Sequence, residues 1–185
     1  PALCNRIDRN TGGIVIAAKT AEALRIMNDK IKNHELQKRY LCVVHGTPRP
    51  REAKITHFLR RDEAKKQVEV FSRPMPGAKT AQTIYKVLAS RDGLSLVECT
   101  LLTGRTHQIR AQMAAIGHPL LGDGKYGTNA QNKPYGETHQ LLYSYKLTFA
   151  FQGESGALEP LRGRTFTVRD VPFVRKYFPD YRIGG

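Results

Sequence analysis

Along most of the chain, apolar and polar residues alternate in short runs separated by clusters of Gly, Pro, Asp and Asn, the pattern of half-buried strands and tight turns. Residues 12–18, GGIVIAA, form instead a continuous β-branched run after a polar turn and predict a buried strand. Thr20 then stands where a helix cap is expected, and Leu24, Met27 and Ile31 recur at i, i+3 and i+7, which predicts an amphipathic helix to about His34. Residues 38–46, KRYLCVVHG, predict a strand with Tyr40, Cys42 and Val44 on one face and Leu41, Val43 and His45 on the other. Further strands are expected at 54–59, 67–71, 80–88 and 94–102, with the charged stretch 60–66, RRDEAKK, as an exposed hairpin tip and Pro74, Pro76 and Gly77 as a break.

In the last third, a strand ends at Thr103-Gly104 and Thr106 is the expected cap of a helix. Ile109, Met113 and Ile116 supply its apolar stripe, and Gly117 followed by Pro119 ends it. From Leu141 to Phe151, the alternate positions Leu141, Tyr143, Tyr145, Leu147, Phe149 and Phe151 predict a strand with one apolar face. A short strand at 164–168 and a short helix at 172–178 complete the reading. Strands outnumber helices, and several connections are too short for a parallel crossover. The expected class is therefore α+β, with a mixed, largely antiparallel sheet flanked by helices and loops.

Composition narrows the possibilities. A chain of 185 residues with 40% hydrophobic and 25% charged residues folds around a core and is too apolar for a disordered basic tail. Its 30 Lys and Arg against 16 Asp and Glu give +14, spread as +5, +4, +3 and +2 over residues 1–50, 51–100, 101–150 and 151–185. A folded body positive along its whole length points to a polyanionic partner, with nucleic acid first; the alternative is a surface charged for solubility. No apolar run reaches the roughly 18 residues of a membrane span, so no membrane partner is expected. Cys4, Cys42 and Cys99 are too few and too scattered for a disulfide framework, which suits the reducing cytoplasm. Cys42 and His45 have a metal-like spacing but fall on opposite faces of one strand, so no metal site is assigned.

Two stretches concentrate reactive groups beside apolar elements. In RIDRNTGG, Asp8 sits between Arg6 and Arg9, an arrangement that keeps a carboxylate ionised if the arginines stay close; it serves equally as a nucleophile, a base or a turn residue. In TGRTHQIR, a glycine turn opening a helix, with Arg105 beside it, suits a phosphate. Arg110 is either a surface arginine or one that turns inward to a carboxylate. His107 reads as a helix-start residue, since no serine or cysteine stands by as its nucleophile partner. Tyr40, flanked by Lys38 and Arg39, either stacks on a base or packs in the core.

Together these stretches resemble one family. RIDRNTGG is similar to the H-R-L-D-x-x-T-S-G segment of RluA-type pseudouridine synthases, and KRYLCVVHG to their K-x-Y-x-x-x-V-x-G strand. TGRTHQIRAQMAAIGHPLLGDGKYG is similar to their long T-G-R-T-H-Q-I-R signature, and weaker echoes follow at 81–88 and 140–147. The resemblance implies a pseudouridine-synthase-like fold and isomerisation of uridine in rRNA or tRNA without cofactor or metal. It implies that Asp8 is the essential carboxylate, that Tyr40 packs on the uracil and takes part in removing the C5 proton, and that Arg110 pairs with Asp8. Arg6 is implied to enter the RNA stack when the target base flips out, and Arg105, His107 and Gln108 to have phosphate-binding or framework roles. Asn5, Gly12 and Gln112 depart from the family's usual histidine, serine and histidine. Family members carry further strands upstream of the Asp8 segment, and many carry an S4-like domain. Residues 1–185 are thus expected to be an N-terminally truncated catalytic core, with a non-catalytic RNA-binding module as the alternative.

Overall fold

The computed structural model describes residues 1–184. Three two-residue strands, β1 (Ala2–Leu3), β2 (Gly12–Gly13) and β3 (Ala17–Ala18), precede helix α1 (Ala21–Lys32). Strands β4 (Leu36–His45), β5 (Glu52–Asp62), β6 (Gln67–Phe71), β7 (Lys79–Arg91) and β8 (Leu94–Leu101) lead to α2 (Gln108–Ala115). After α3 (Asn129–Asn132) come β9 (Leu142–Phe149), β10 (Thr165–Thr167) and α4 (Pro172–Tyr177), with 3₁₀ turns at Lys133–Tyr135 and Gly156–Leu161.

The main sheet runs in the order β10-β9-β4-β8-β7-β5-β6, every neighbouring pair antiparallel, and β2 joins β9 in parallel. The expected α+β class and largely antiparallel sheet are what the chain forms. Strand β4 lies between β8 and β9, and its two faces fill two cores, as its alternation predicts. Tyr40, Cys42 and Val44 pack with Tyr85, Val97, Cys99 and, from α2, Ile109 and Met113. Leu41 and Val43 pack on the opposite face with Leu96, Leu121 and the α4 residues Phe173 and Val174. Thr20 caps α1 by accepting a hydrogen bond from the Ala23 N–H, and the helix ends two residues before the expected His34.

Three expectations need correction. The 12–18 run is not one buried strand. It pairs with β9 at Gly12 and Gly13, where the Ile14 N–H also bonds the Ser144 carbonyl, crosses with Val15 exposed, and pairs again with β1 at Ala17 and Ala18. In β9 the apolar row does not stay on one face, because the register against β4 slips between Arg39 and Tyr40. Lys146 lies opposite Arg39 and Ser144 opposite Tyr40, so Tyr145 is the extra residue of a bulge. Tyr143 and Tyr145 therefore join the α4 side, while Leu147 and Phe149 join Leu36 and Met27 on the other. Finally, the cap of α2 lies one residue beyond the expected Thr106: His107, in the left-handed region at φ 54°, takes that position, and no side chain caps the helix.

Candidate active site

The Asp8 turn is held by close backbone approach and one amide. Gly13 has φ 115°, and a Cβ there would overlap the Ser144 backbone; a Cβ on Gly12 would lie 2.8 Å from the Tyr143 ring. Both glycines let the chain lie flat on β9, which accounts for Gly12 where the family has serine. The Thr11 N–H bonds the Asp8 carbonyl at 3.0 Å, closing the turn, and the buried Gln140 amide donates to the Arg9 carbonyl at 2.7 Å. Asn5, the other departure from the family pattern, accepts from the Ile16 N–H at 2.7 Å and ties the strand entering the turn to the one leaving it.

Asp8 thereby lines a cleft of about 450 Å³ whose wall also includes Tyr40 of β4 and the loop 104–107 before α2. Five cationic side chains border it, Arg6, Arg9, Lys38, Arg61 and Arg105, and Asp8 is the one carboxylate among the lining residues. Tyr40 is 8% exposed. Burial, helped by the negative charge of Asp8 and opposed by Ser144, raises its pKa, so it is a neutral phenol at pH 7. Lys38, two residues away on the same face of β4, makes no hydrogen bond or ion pair among the described residues, and burial lowers its pKa. Arg105 is anchored by its Nε to the Thr80 carbonyl at 2.8 Å.

Behind the cleft wall, α2 is polar yet buried. Arg110 is 7% exposed and forms a two-point ion pair with Asp123, Nε to Oδ2 at 2.7 Å and Nη2 to Oδ1 at 3.1 Å. Its partner is thus Asp123 and not Asp8, which corrects the expected pairing; Asp8 acts on Arg110 only through its nearby charge. Burial alone works against both charges. The mutual hydrogen bonds outweigh it, so the Arg110 pKa is raised and that of Asp123 lowered. Asp123 also accepts from the backbone N–H groups of Lys125 and Tyr126 at 2.9 and 3.0 Å.

Gln108 is likewise built into the framework, one of the two roles the family resemblance implies for it. Its carbonyl oxygen accepts from the Thr103 hydroxyl and the Arg105 N–H, and its amide donates to the Gln82 carbonyl and the Thr83 hydroxyl. With its amide engaged, it shapes the 103–105 turn from behind. Gln112, where the family has histidine, is fully buried between the Thr83 hydroxyl at 2.6 Å and the His57 ring at 2.9 Å.

His107 lines the cleft, and its Nδ1 lies 2.7 Å from the Tyr126 hydroxyl, which also accepts from the Val68 N–H of β6 at 2.9 Å. Lys125 Nζ donates to the Lys66 carbonyl at 2.6 Å, so the β5–β6 hairpin is fastened to the loop after α2 at two points. That fastening brings Arg61 of β5 to the cleft, where the sequence reading left it as a hairpin-tip charge. Asp123, Tyr126, Lys38 and Gln140 were also missed as parts of this site. The signal for the first two was the G-D-x-x-Y-G end of the long signature, and for Lys38 its place two residues before Tyr40 on a predicted strand.

Residues 1–115 match the model of the RNA pseudouridylate synthase family. An uncharacterized RNA pseudouridine synthase of Mycoplasma genitalium is 39% identical over 153 residues, covering 80% of this chain and 47% of the relative. The ribosomal large subunit pseudouridine synthase D of Zymomonas mobilis is 33% identical over 170 residues, 89% of this chain and 50% of the relative. The chain spans about half the length of these curated relatives. In three dimensions it superposes on human RNA pseudouridylate synthase domain containing 1 with a TM-score of 0.72 at 21% identity, covering 100% of this chain and 82% of that one. The fold is thus shared with a pseudouridylate synthase domain, and the match of residues 1–115 takes in both the Asp8 turn and the start of α2: the chain belongs to the RNA pseudouridylate synthase family.

Proposed function

We propose that this chain converts uridine to pseudouridine in structured RNA, rRNA or tRNA, with Asp8 as the essential carboxylate. The observation that carries the reading is the cleft: one carboxylate shares with a buried, neutral tyrosine a pocket whose other charged side chains are all cationic. The reaction breaks the N1–C1′ bond, turns the uracil in place and joins C5 to C1′. The proton leaves C5 and N1 gains one, so the net change is an isomerisation that consumes no second reactant. A carboxylate at the sugar serves the first step, either by attack on C1′ or by removal of the 2′ proton.

Tyr40 forms the apolar floor for the uracil ring, and its phenol, protonated at neutral pH, relays the C5 proton: its oxygen accepts that proton as the phenol's own proton passes to N1. Arg6, exposed at the mouth of the cleft, enters the space the target base leaves in the RNA stack, and Arg9, Lys38, Arg61 and Arg105 take backbone phosphates. Arg110 supports the site from behind by anchoring the Asp123 loop and by placing positive charge near Asp8.

Asp8→Asn keeps the size and turn geometry of the residue and removes its charge. It is expected to bind RNA within about threefold of the parent chain while release of tritium from RNA labelled at uridine C5 falls by at least about 10³-fold, the scale of removing an essential nucleophile or base. Undiminished release from the variant would remove Asp8 from the mechanism.

A further inference from the structure

We infer that Tyr126 holds His107 as a neutral imidazole protonated at Nε2, so that this Nε2–H is a fixed hydrogen-bond donor to an oxygen of the nucleotide bound in the cleft. The inference rests on the isomerase reading for its ligand, but its geometry does not. The Tyr126 hydroxyl already accepts from the Val68 N–H at 2.9 Å, and its own proton has no acceptor among the described residues except His107 Nδ1, 2.7 Å away. Burial raises the Tyr126 pKa, so that proton is present at neutral pH. Nδ1 is therefore the acceptor, and a neutral ring then carries its single proton on Nε2.

The surroundings keep the ring neutral. Burial has the largest influence, and the Arg110 guanidinium from α2 and Lys125 from the following loop add to it; Asp8 and Asp123 oppose them, and the balance lowers the pKa. The ring is also fixed in place. It meets the Tyr126 ring edge-on at 5.5 Å, while Tyr126 is held by its N–H on Asp123 Oδ1 and by its ring 5.2 Å from the Arg110 guanidinium. Nε2 has no partner among the described residues and is not a buried orphan, and the ring borders the cleft. The atom thus offers one donor, and no acceptor, to whatever lies there. The matching group on an RNA nucleotide is a phosphate oxygen or a uracil carbonyl.

Nitrogen NMR of the ¹⁵N-histidine-labelled chain reads the tautomer directly and needs no RNA. Nε2–H is expected for His107 from about pH 7 to 8, with a mixture of tautomers in Tyr126→Phe. An Nδ1–H tautomer or an imidazolium at pH 7.5 in the parent chain would overturn the inference. In the tritium-release assay His107→Ala is expected to lose roughly tenfold in kcat/KM, the scale of one hydrogen bond. His107→Gln, whose amide nitrogen replaces Nε2, is expected to recover most of that loss, and His107→Asn, whose amide replaces Nδ1, is not. Equal loss in all three, or none in His107→Ala, overturns the donor role. Binding to an abasic oligoribonucleotide separates the two acceptors: His107→Ala weakens it if the acceptor is a phosphate, and leaves it unchanged if the acceptor is a uracil carbonyl. An inactive parent chain that still shows the Nε2–H tautomer would count against the isomerase reading and for the tautomer.

Discussion

Individual residues in this chain owe their roles to neighbours that one-dimensional spacing does not reveal. By spacing alone Arg110 is either a surface arginine or one that turns inward to a carboxylate, and Asp123, thirteen residues on, decides for the second with two hydrogen bonds. Gln108 and Gln112 are buried because the 103–105 turn and the Thr83 hydroxyl complete their hydrogen bonds, neighbours that helical spacing does not reveal. Asp8 and Tyr40, by contrast, were legible as site candidates from the motifs that carry the family resemblance, while strand alternation gave only the face that Tyr40 occupies. Two half-buried histidines carry a prediction about stability. Burial is the main cause that lowers the pKa of both His57 and His107 from 6.5. The unfolded chain then binds more protons than the folded one once pH falls below about 6.5, so stability is full above that value and declines as pH drops toward the lowered folded-state values. Urea midpoints are expected to be level from pH 8 to 7 and to fall between pH 6.5 and 5. A midpoint that climbs on acidification over that range contradicts the assignment.

At the scale of elements, strands were easier to read than their edges. β4 to β8 follow from alternation bounded by turn residues, and 67–71 was located to the residue. The β9 bulge was hidden because the alternation continues through Tyr145 while the hydrogen-bond register slips, so one apolar row feeds two cores. The 12–18 run misled because an apolar, β-branched composition describes both a buried strand and a segment that only touches the sheet, and two adjacent glycines favour the second. The β5–β6 hairpin was legible as a hairpin but not as a wall of the cleft, since its attachment runs through Tyr126 and Lys125, far away in sequence. Arg61 is the test of that wall. It lines the cleft with only an exposed partner, Glu63, at 3.0 Å, whereas Arg60 is engaged by Glu69 and the Phe71 ring. Arg61→Ala is expected to weaken RNA binding across sequences and to reduce the slope of log K against log salt by about 1, with Arg60→Ala changing the slope less. Equal slopes for the parent chain and Arg61→Ala would remove the hairpin from the RNA-binding surface.

For the whole molecule, the charge of +14 gains a geometry. Part of it converges on one cleft around one carboxylate, and part is tied up in ion pairs such as Arg110 with Asp123 and the buried Lys30 with Glu35. The total alone separates neither from a solubilising coat; the sheet does, by bringing residues 6–9, 38, 40, 61 and 104–107 to one side. The central claim is that this cleft isomerises uridine rather than merely holding RNA or excising the base. The most direct measurement is nucleoside analysis of an unmodified rRNA or tRNA transcript after incubation with the chain and complete digestion. The account predicts pseudouridine, equal in mass to the uridine lost and in step with tritium release from C5, with none formed by Asp8→Asn. Bound RNA with no pseudouridine, or free uracil in its place, would contradict it.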